Sequence, residues 1–174
     1  MERVDELLSI TGWQSEPQEI DWNEVERKFG TSLPVDFKEI SELFGHGAFS
    51  GYLKVLPVNG AETEGILGRW DSMREYADKT PLSGLFDPYE VFHGETGLIL
   101  WGNSMTEAQY FWLANASSSP EKWPIVARTS PLDDWHQFDE ISTSEFICRV
   151  LKDPEFRPFS ISRKVERPFF DAYR

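Results

Sequence analysis

The side chains best suited to acid–base, nucleophilic or metal chemistry are few in this 174-residue sequence: three histidines and one cysteine. His46, His93 and His136 lie far apart along the chain, and no two have the spacing of a helical metal-binding pair. Cys148 alone cannot supply the several thiolates of a structural zinc site. The sequence therefore predicts no catalytic residue, no metal site and no bound cofactor. A deep pocket joining His93 or His136 to a carboxylate would instead support an enzyme.

Two short motifs contain parts of catalytic signatures but lack the rest. Gly102-Asn103-Ser104 is followed by methionine and threonine, so it does not match the Gly-x-Ser-x-Gly turn of a nucleophile elbow. Gly45-His46-Gly47 lacks the further glycines and the Lys-Ser/Thr ending of a phosphate-binding loop. Neither motif indicates nucleophilic or nucleotide chemistry.

Two pairs of adjacent carboxylates flank a tryptophan near the end of the sequence. Asp133 and Asp134 precede Trp135, and Asp139 and Glu140 follow it closely. Glycosidase-type catalysis needs two carboxyl groups held at a fixed separation across a pocket, and adjacency in a turn is more typical of solvated charges. Tryptophan is enriched among the residues that dominate protein interfaces. These five residues are therefore predicted to bind a protein partner.

The charge balance is strongly acidic. Seventeen lysines and arginines face thirty aspartates and glutamates, which gives a formal net charge of −13. Phosphate backbones repel such a surface, so direct binding to nucleic acid is not expected. A negative field would speed association with a basic protein. The alternative is that the acidic composition serves only to keep the protein in solution.

Hydrophobic spacing and capping residues predict five helices. The clearest is residues 21–30, where Asp21 can cap the first turn, Glu24 completes a capping-box-like arrangement and Gly30 ends the helix. Pro34 suits the first turn of the next helix because its missing N–H would have had no partner there. The others are a short opening helix ending near Gly12, the helix that follows Pro34 and ends at Gly45, and helices over residues 62–78 and 142–154.

Strand-like runs occupy the middle of the sequence, and short turns separate them. Such short connections favour antiparallel pairing, because parallel strands need a crossover of a dozen or more residues. We therefore expect an α+β fold with a mostly antiparallel central sheet of about four to six strands flanked by helices. The runs are residues 52–58, 98–101, 109–113, 123–127 and 135–138.

The last twenty residues differ in character from the rest. Residues 155–174 carry five basic and three acidic side chains, a net charge of +2 that leaves −15 on residues 1–154. We expect residues 1–154 to form one domain, since a compact domain usually contains about 100–200 residues. The basic, aromatic segment 155–174 is predicted either to pack on that acidic domain or to trail from it.

The sequence also indicates a location. The first residues lack the basic start and apolar run of a signal peptide, and no stretch approaches the ~18 apolar residues of a membrane span. A single cysteine allows no intrachain disulfide and suits a reducing compartment. We therefore expect a cytoplasmic protein without membrane contact. Nothing in the sequence indicates an oligomeric state.

Several landmarks occur in an order that resembles a known superfamily. The first is Trp22-x-x-x-Glu26-x-x-x-Gly30-x-x-Leu33-Pro34-x-Asp36-Phe37, followed by Phe44-Gly45-His46-Gly47. The second is Leu98-Ile99-Leu100-Trp101-Gly102-Asn103-Ser104, followed by Tyr110-Phe111-Trp112. Together these segments resemble the SUKH superfamily, which includes bacterial immunity proteins and fungal cell-wall-synthesis regulators. The resemblance spans about residues 13–151.

The resemblance implies an α+β fold with no shared catalytic residues. It also implies a protein partner, which for many bacterial members is a toxin domain, often a nuclease, that the immunity protein neutralises by binding. The fungal members suggest the alternative of a regulatory or scaffolding module with a non-toxin partner. Two features depart from the family pattern: Asn103-Ser104-Met105-Thr106 stands where an acidic-glycine turn is common, and the tail after Glu155 lies outside the match.

Overall fold

The computed structural model describes residues 2–59 and 63–173. Within these ranges the helices are α1 (Glu2–Thr11), α2 (Trp22–Phe29), α3 (Val35–Phe44), α4 (Ile66–Lys79) and α5 (Thr143–Lys152). The strands are β1 (Gly47–Phe49), β2 (Leu53–Val55), β3 (Thr96–Ser104), β4 (Gln109–Asn115), β5 (Ile125–Arg128), β6 (His136–Phe138) and β7 (Phe170–Ala172). Five residues of the predicted domain and tail lie outside the described ranges: Met1, Gly60, Ala61, Glu62 and Arg174.

The strands form one antiparallel sheet in the spatial order β6-β5-β4-β3-β2-β1-β7. The predicted α+β class with an antiparallel sheet is therefore confirmed. Seven strands are present among the described residues because the three-residue strands β1 and β7 extend the sheet at one end. The two edges of the sheet are β6 and β7. No described helix combines the length and hydrophobicity needed to cross a lipid bilayer.

The local signals at the helix ends act largely as expected. In α2, Asp21 accepts a hydrogen bond from the Glu24 N–H at 3.1 Å, and Gly30 follows the helix with a φ of 75°. That left-handed conformation strains any residue with a Cβ, which explains the glycine. Pro34 is the N-cap of α3 and so stands one position before the first turn in which it was expected. In α5, Ser142 caps the Glu145 N–H at 3.2 Å.

Large aromatic side chains fill the space between the sheet and the helices. Trp101 and Trp112 are almost fully buried and stack with their ring centroids 6.2 Å apart. The ring of Phe37 in α3 meets Trp112 edge-on at 4.8 Å, and Phe146 in α5 meets Trp101 edge-on at 5.7 Å. Such edge-to-face contacts add to the hydrophobic stabilisation from burial. The tryptophans of β3 and β4 thus fix two helices against one face of the sheet.

The segment after Asp153 packs against α5 and against the side chain of Phe138 on one face of β6. Phe156 and Phe159 are buried, and their rings lie 5.1 and 6.2 Å from the ring of Phe138 in β6. The Ile161 N–H donates to the Val150 carbonyl at 2.8 Å. Farther along, β7 pairs with β1 and buries Phe170. These contacts make Phe156, Phe159 and Phe170 part of the hydrophobic core.

A carboxylate joins the starts of α3 and α5. Asp36 accepts a hydrogen bond from the Ser144 N–H at 2.7 Å, although 108 residues separate the two in sequence. Trp112 adds a second link by donating from Nε1 to the Thr143 hydroxyl at 3.0 Å. The first N–H groups of a helix have no partner inside the helix, and a negative charge there is favourable. Asp36 therefore stabilises α5 in its position beside α3.

Replacing Asp36 with alanine is expected to lower the free energy of unfolding by about 1–3 kcal/mol, because the buried Ser144 N–H loses its acceptor. Urea unfolding followed by circular dichroism measures the change. Asp5→Ala is the matched control, since Asp5 is exposed and makes no side-chain hydrogen bond among the described residues. Equal destabilisation by the two substitutions would contradict the role given to Asp36.

Candidate protein-binding surface

The five predicted site residues lie around the edge strand β6. Asp133 and Asp134 belong to the turn between β5 and β6, and Trp135 is the last residue before β6. Asp139 and Glu140 follow β6 directly. All four carboxylates are exposed, and Trp135 is half-buried. The structure thus separates the two acidic pairs and places one at each end of a three-residue edge strand. We call residues 133–140 the acidic edge.

Hydrogen bonds hold one carboxylate of each pair and leave the other in solvent. The Thr129 hydroxyl donates to Asp133 at 2.5 Å, and Gln137 Nε2 donates to Asp139 at 2.7 Å. Within residues 2–59 and 63–173, Asp134 and Glu140 make no side-chain hydrogen bond, and no lysine or arginine forms an ion pair with any carboxylate of the acidic edge. No ion pair among the described residues therefore neutralises these carboxylates.

Trp135 is anchored to the protein by one side of its ring system. Its Nε1 donates to the Asp87 carbonyl at 2.8 Å, and its ring meets Tyr89 at 5.3 Å and Phe111 at 5.5 Å, both at steep angles. A tryptophan held in this way keeps a fixed orientation and still offers part of its surface to solvent. Rigid, half-exposed aromatic rings contribute strongly to protein interfaces because little conformational entropy is lost when they bind.

The connection between α4 and β3 covers the face of β6 on which Trp135 lies. The Tyr89 hydroxyl donates to Gln137 Oε1 at 2.9 Å. Burial, with a smaller contribution from the negative charge of Asp139, raises the pKa of Tyr89 above its ordinary value. The phenol therefore stays protonated at neutral pH and remains a donor. Together with the Gln137–Asp139 bond, this contact makes a short chain of hydrogen bonds along the acidic edge.

A buried arginine that the sequence did not single out supports this surface from below. Arg128 is only 2% exposed, and its guanidinium lies 4.1 Å from the centroid of the Trp135 ring. Its Nε donates to the side chain of Gln109 at 2.8 Å, and Nη1 donates to the Leu85 carbonyl at 2.7 Å. Burial lowers the pKa of Arg128 to about 10, so the group is still charged at neutral pH. Stacking on tryptophan and two hydrogen bonds offset part of the cost of burying that charge.

Arg128 is also unusual in having no acidic partner. Within the described ranges no carboxylate lies at ion-pair distance from it, and its buried Nη2 donates to no acceptor. The sequence offers one signal, a single charged residue that ends the apolar run Ile125-Val126-Ala127. That pattern is equally typical of a strand that ends at the surface, so burial of Arg128 could not be inferred from it.

The three histidines and the cysteine lie at separate places in the part of the chain that the structure describes. A cleft of 370 Å³ is lined by His93 together with Asp78, Asp87 and Glu90, but His93 is exposed and hydrogen-bonds to none of them. His46 contacts the ring of Tyr173, and His136 contacts the ring of Phe159. None of the three histidines hydrogen-bonds to a carboxylate among the described residues.

Cys148 is a buried thiol that is poorly suited to nucleophilic chemistry. Burial raises the pKa of its thiol to about 12, so the reactive thiolate is scarcely present at neutral pH. Among residues 2–59 and 63–173, no three His, Cys, Asp or Glu side chains come together as a metal site. The cluster of charge and aromatic surface at the acidic edge is instead suited to non-covalent recognition of a protein.

Comparison with known protein families finds a match. The family model SUKH_6, described as SMI1-KNR4 cell-wall, matches residues 19–147. The matched region runs from the residues before α2 into α5 and includes the whole acidic edge. No curated protein and no solved structure matches the chain.

Replacing Arg128 with lysine is expected to loosen the connection that covers Trp135. Lysine cannot stack as a plane on the indole while donating in two fixed directions, so the Leu85 and Trp135 contacts would be lost together. The Asp87 and Tyr89 N–H groups form turn hydrogen bonds in this connection, at 3.1 and 2.8 Å. We expect their hydrogen exchange to become about tenfold faster, equivalent to a local loss of about 1.4 kcal/mol. Amide hydrogen exchange followed by NMR measures this change in rate.

The control for this experiment is Arg27→Lys, which changes an exposed arginine on α2 in the same way. Unchanged exchange at Asp87 and Tyr89 in Arg128→Lys, as in the control, would contradict the supporting role of Arg128.

Proposed function

This chain belongs to the SUKH_6 family, described as SMI1-KNR4 cell-wall, and from that premise we propose that it is an immunity-type protein. In this proposal it binds a cognate toxin domain in the cytoplasm of the cell that makes both. The SUKH superfamily includes immunity proteins, which supports this class of function. The observation that carries the proposal is the acidic edge, where two pairs of exposed carboxylates without cationic partners flank a rigid aromatic residue.

The charge of the chain supports a basic partner. The formal net charge is −15 for residues 1–154 and −13 for the whole chain, because residues 155–174 carry +2. The domain that bears the acidic edge is therefore more acidic than the chain as a whole. Opposite electrostatic fields can raise association rates by one or more orders of magnitude at low salt. Toxin domains that cleave nucleic acids need basic surfaces to bind phosphate. A nuclease domain is therefore the partner that we favour.

Inhibition would then require no chemistry by this protein. A complex that covers about 800 Å² on each partner is of ordinary size for tight protein binding, and such a patch can close an active site to its substrate. The acidic edge can also imitate the negative charge of the nucleic acid that it excludes. We therefore propose neutralisation by stoichiometric occlusion, with Asp133, Asp134, Trp135, Asp139 and Glu140 in the contact region.

A regulatory or scaffolding role is the second candidate. The description SMI1-KNR4 cell-wall and the superfamily's fungal members favour it. Such a module would use the same kind of exposed, unneutralised surface to bind a non-toxin protein. The two candidates differ in whether the partner harms the cell when it is produced alone.

The experiment that separates them is co-purification with the C-terminal domain of the protein encoded immediately upstream, combined with growth rescue. Under the immunity proposal this domain stops growth when produced alone, and co-production of the acidic chain restores growth and yields a stable complex. A domain that neither binds nor harms the cell would remove the immunity proposal and favour the regulatory module.

Reversing the charge of Asp133 and Asp134 to lysine is expected to slow association about tenfold at low salt and to change dissociation less. The physical reason is that exposed charges act mainly by steering the approach of a basic partner. Stopped-flow mixing with the toxin domain at several salt concentrations measures both rates. The difference from the unmodified protein should shrink as salt is added.

Glu16→Lys together with Glu19→Lys is the matched control. These residues are exposed, carry the same charge change and belong to the segment that packs near β1 and β7, at the other end of the sheet. An equal slowing by the control pair would mean that overall charge matters and that the acidic edge has no special place in association.

A further inference from the structure

The acidic edge contains a strand with one open side. β6 pairs with β5 through Ile125–Phe138, Val126–Gln137 and Ala127–His136, and no other described strand pairs with it. An edge strand presents unpaired N–H and C=O groups, which can form hydrogen bonds with an extended segment of another chain. Which groups face outward depends on the register.

The register assigns the outward groups to Gln137. The Leu113 N–H donates to the Pro124 carbonyl at 2.9 Å, so these opposed residues form a hydrogen-bonded pair of the β4–β5 ladder. Hydrogen-bonded and non-bonded pairs alternate along an antiparallel ladder, and Val126 therefore also faces β4, whereas its neighbours in β5 face β6. It follows that Gln137, opposite Val126, directs its N–H and C=O away from the sheet.

The surroundings keep this edge extended without covering its open side. On one face the side chain of Gln137 is held by Tyr89 and Asp139, and on the other face the ring of Phe138 packs against Phe156. Gln137 itself is exposed. Across residues 2–59 and 63–173, no group donates to the outward C=O of Gln137 or accepts from its N–H. The edge is therefore ordered in advance for strand pairing.

The negative charge at the two ends of β6 favours pairing with a basic segment of another protein. Asp134 and Asp139 are five residues apart, which corresponds to about 17 Å in an extended chain. A strand that pairs with Gln137 and carries lysine or arginine near both ends would meet a carboxylate at each end. A second copy of β6 would instead bring carboxylates against carboxylates, an arrangement that proteins use to keep sheet edges from joining.

We propose that β6 is a docking strand and that the partner contributes an extended, basic segment of about five to seven residues which pairs with the backbone of Gln137. The nature of the partner rests on the proposed function, and the strand pairing rests on the register of β5 and β6. Backbone hydrogen bonds would set the position of the segment, and the acidic pairs would set its charge.

The protein variants that test this inference are Gln137→Pro and Gln137→Ala. Proline removes the outward N–H as well as the side-chain bonds to Tyr89 and Asp139, and proline is tolerated in edge strands where that N–H faces solvent. Alanine keeps the N–H and removes the side-chain bonds to Tyr89 and Asp139. We expect Gln137→Pro to bind the upstream toxin domain at least tenfold more weakly than Gln137→Ala. Thermal unfolding of both variants shows that each is folded.

A synthetic peptide tests the edge independently of the toxin. The probe is an extended peptide with lysine at both ends and alternating threonine and valine between them. In NMR titration we expect it to shift the amide signal of Gln137 in the unmodified protein. The same peptide with N-methylated internal amides keeps the charge but cannot pair as a strand, and we expect it to leave that signal in place.

The outcomes distinguish the two proposals. Equal toxin binding by the proline and alanine variants, or peptide shifts that avoid Gln137, would overturn the docking strand and leave the immunity function standing. Absence of a toxin complex together with peptide shifts at Gln137 would remove the immunity function and retain the edge as a docking strand. A dimer in the ultracentrifuge that Gln137→Pro abolishes would show that the occupant is a second copy, which would also overturn the inference.

Discussion

The contact between the guanidinium of Arg128 and the ring of Trp135 determines how this protein presents its acidic surface. The guanidinium lies 4.1 Å from the ring centroid, is nearly excluded from water and has no carboxylate partner among residues 2–59 and 63–173. The buried cation is stabilised by the aromatic face of Trp135 and by hydrogen bonds to the Gln109 and Leu85 oxygens. These contacts fix the covering connection, and through Trp135 they fix the start of β6.

The placement of charge follows from the same arrangement. Arg128 turns inward at the end of β5, so the turn that follows it carries only acidic charge, and β6 ends in a second acidic pair. The unpaired arginine thus lies under the surface while Asp134 and Glu140 remain free in solvent. A protein partner that approaches this edge meets a negative field and an ordered strand at the same place.

Local and non-local features of this fold differ in how well the sequence predicts them. The start and end of α2 follow from Asp21 and Gly30, because capping depends on residues within one helical turn. β1 and β7 escape prediction because three residues are too few to show a periodic pattern, and β7 pairs with β1, a segment more than 100 residues away. Trp135 and its neighbouring acids mark the candidate surface in the sequence. Their position on a sheet edge depends on strand order, which no local pattern encodes.

The burial of Arg128 is another feature that no local sequence pattern predicts. Its burial depends on Leu85 and Trp135, which lie on either side of it in sequence, and on a connection that has no regular secondary structure. The resemblance to the SUKH superfamily predicts the fold because the fold is shared by its members. A partner-binding surface varies between members of such a family, so it has to be inferred from the charges and contacts of each chain.

Hydrogen–deuterium exchange on the complex with the upstream toxin domain shows whether a protein partner covers the acidic edge. Coverage of the acidic edge predicts that amides of residues 133–140, with Gln137 foremost, exchange more slowly in the complex than in the free protein. Protection confined to another surface, such as the exposed faces of α1 and α2, with exchange at residues 133–140 unchanged, would contradict it.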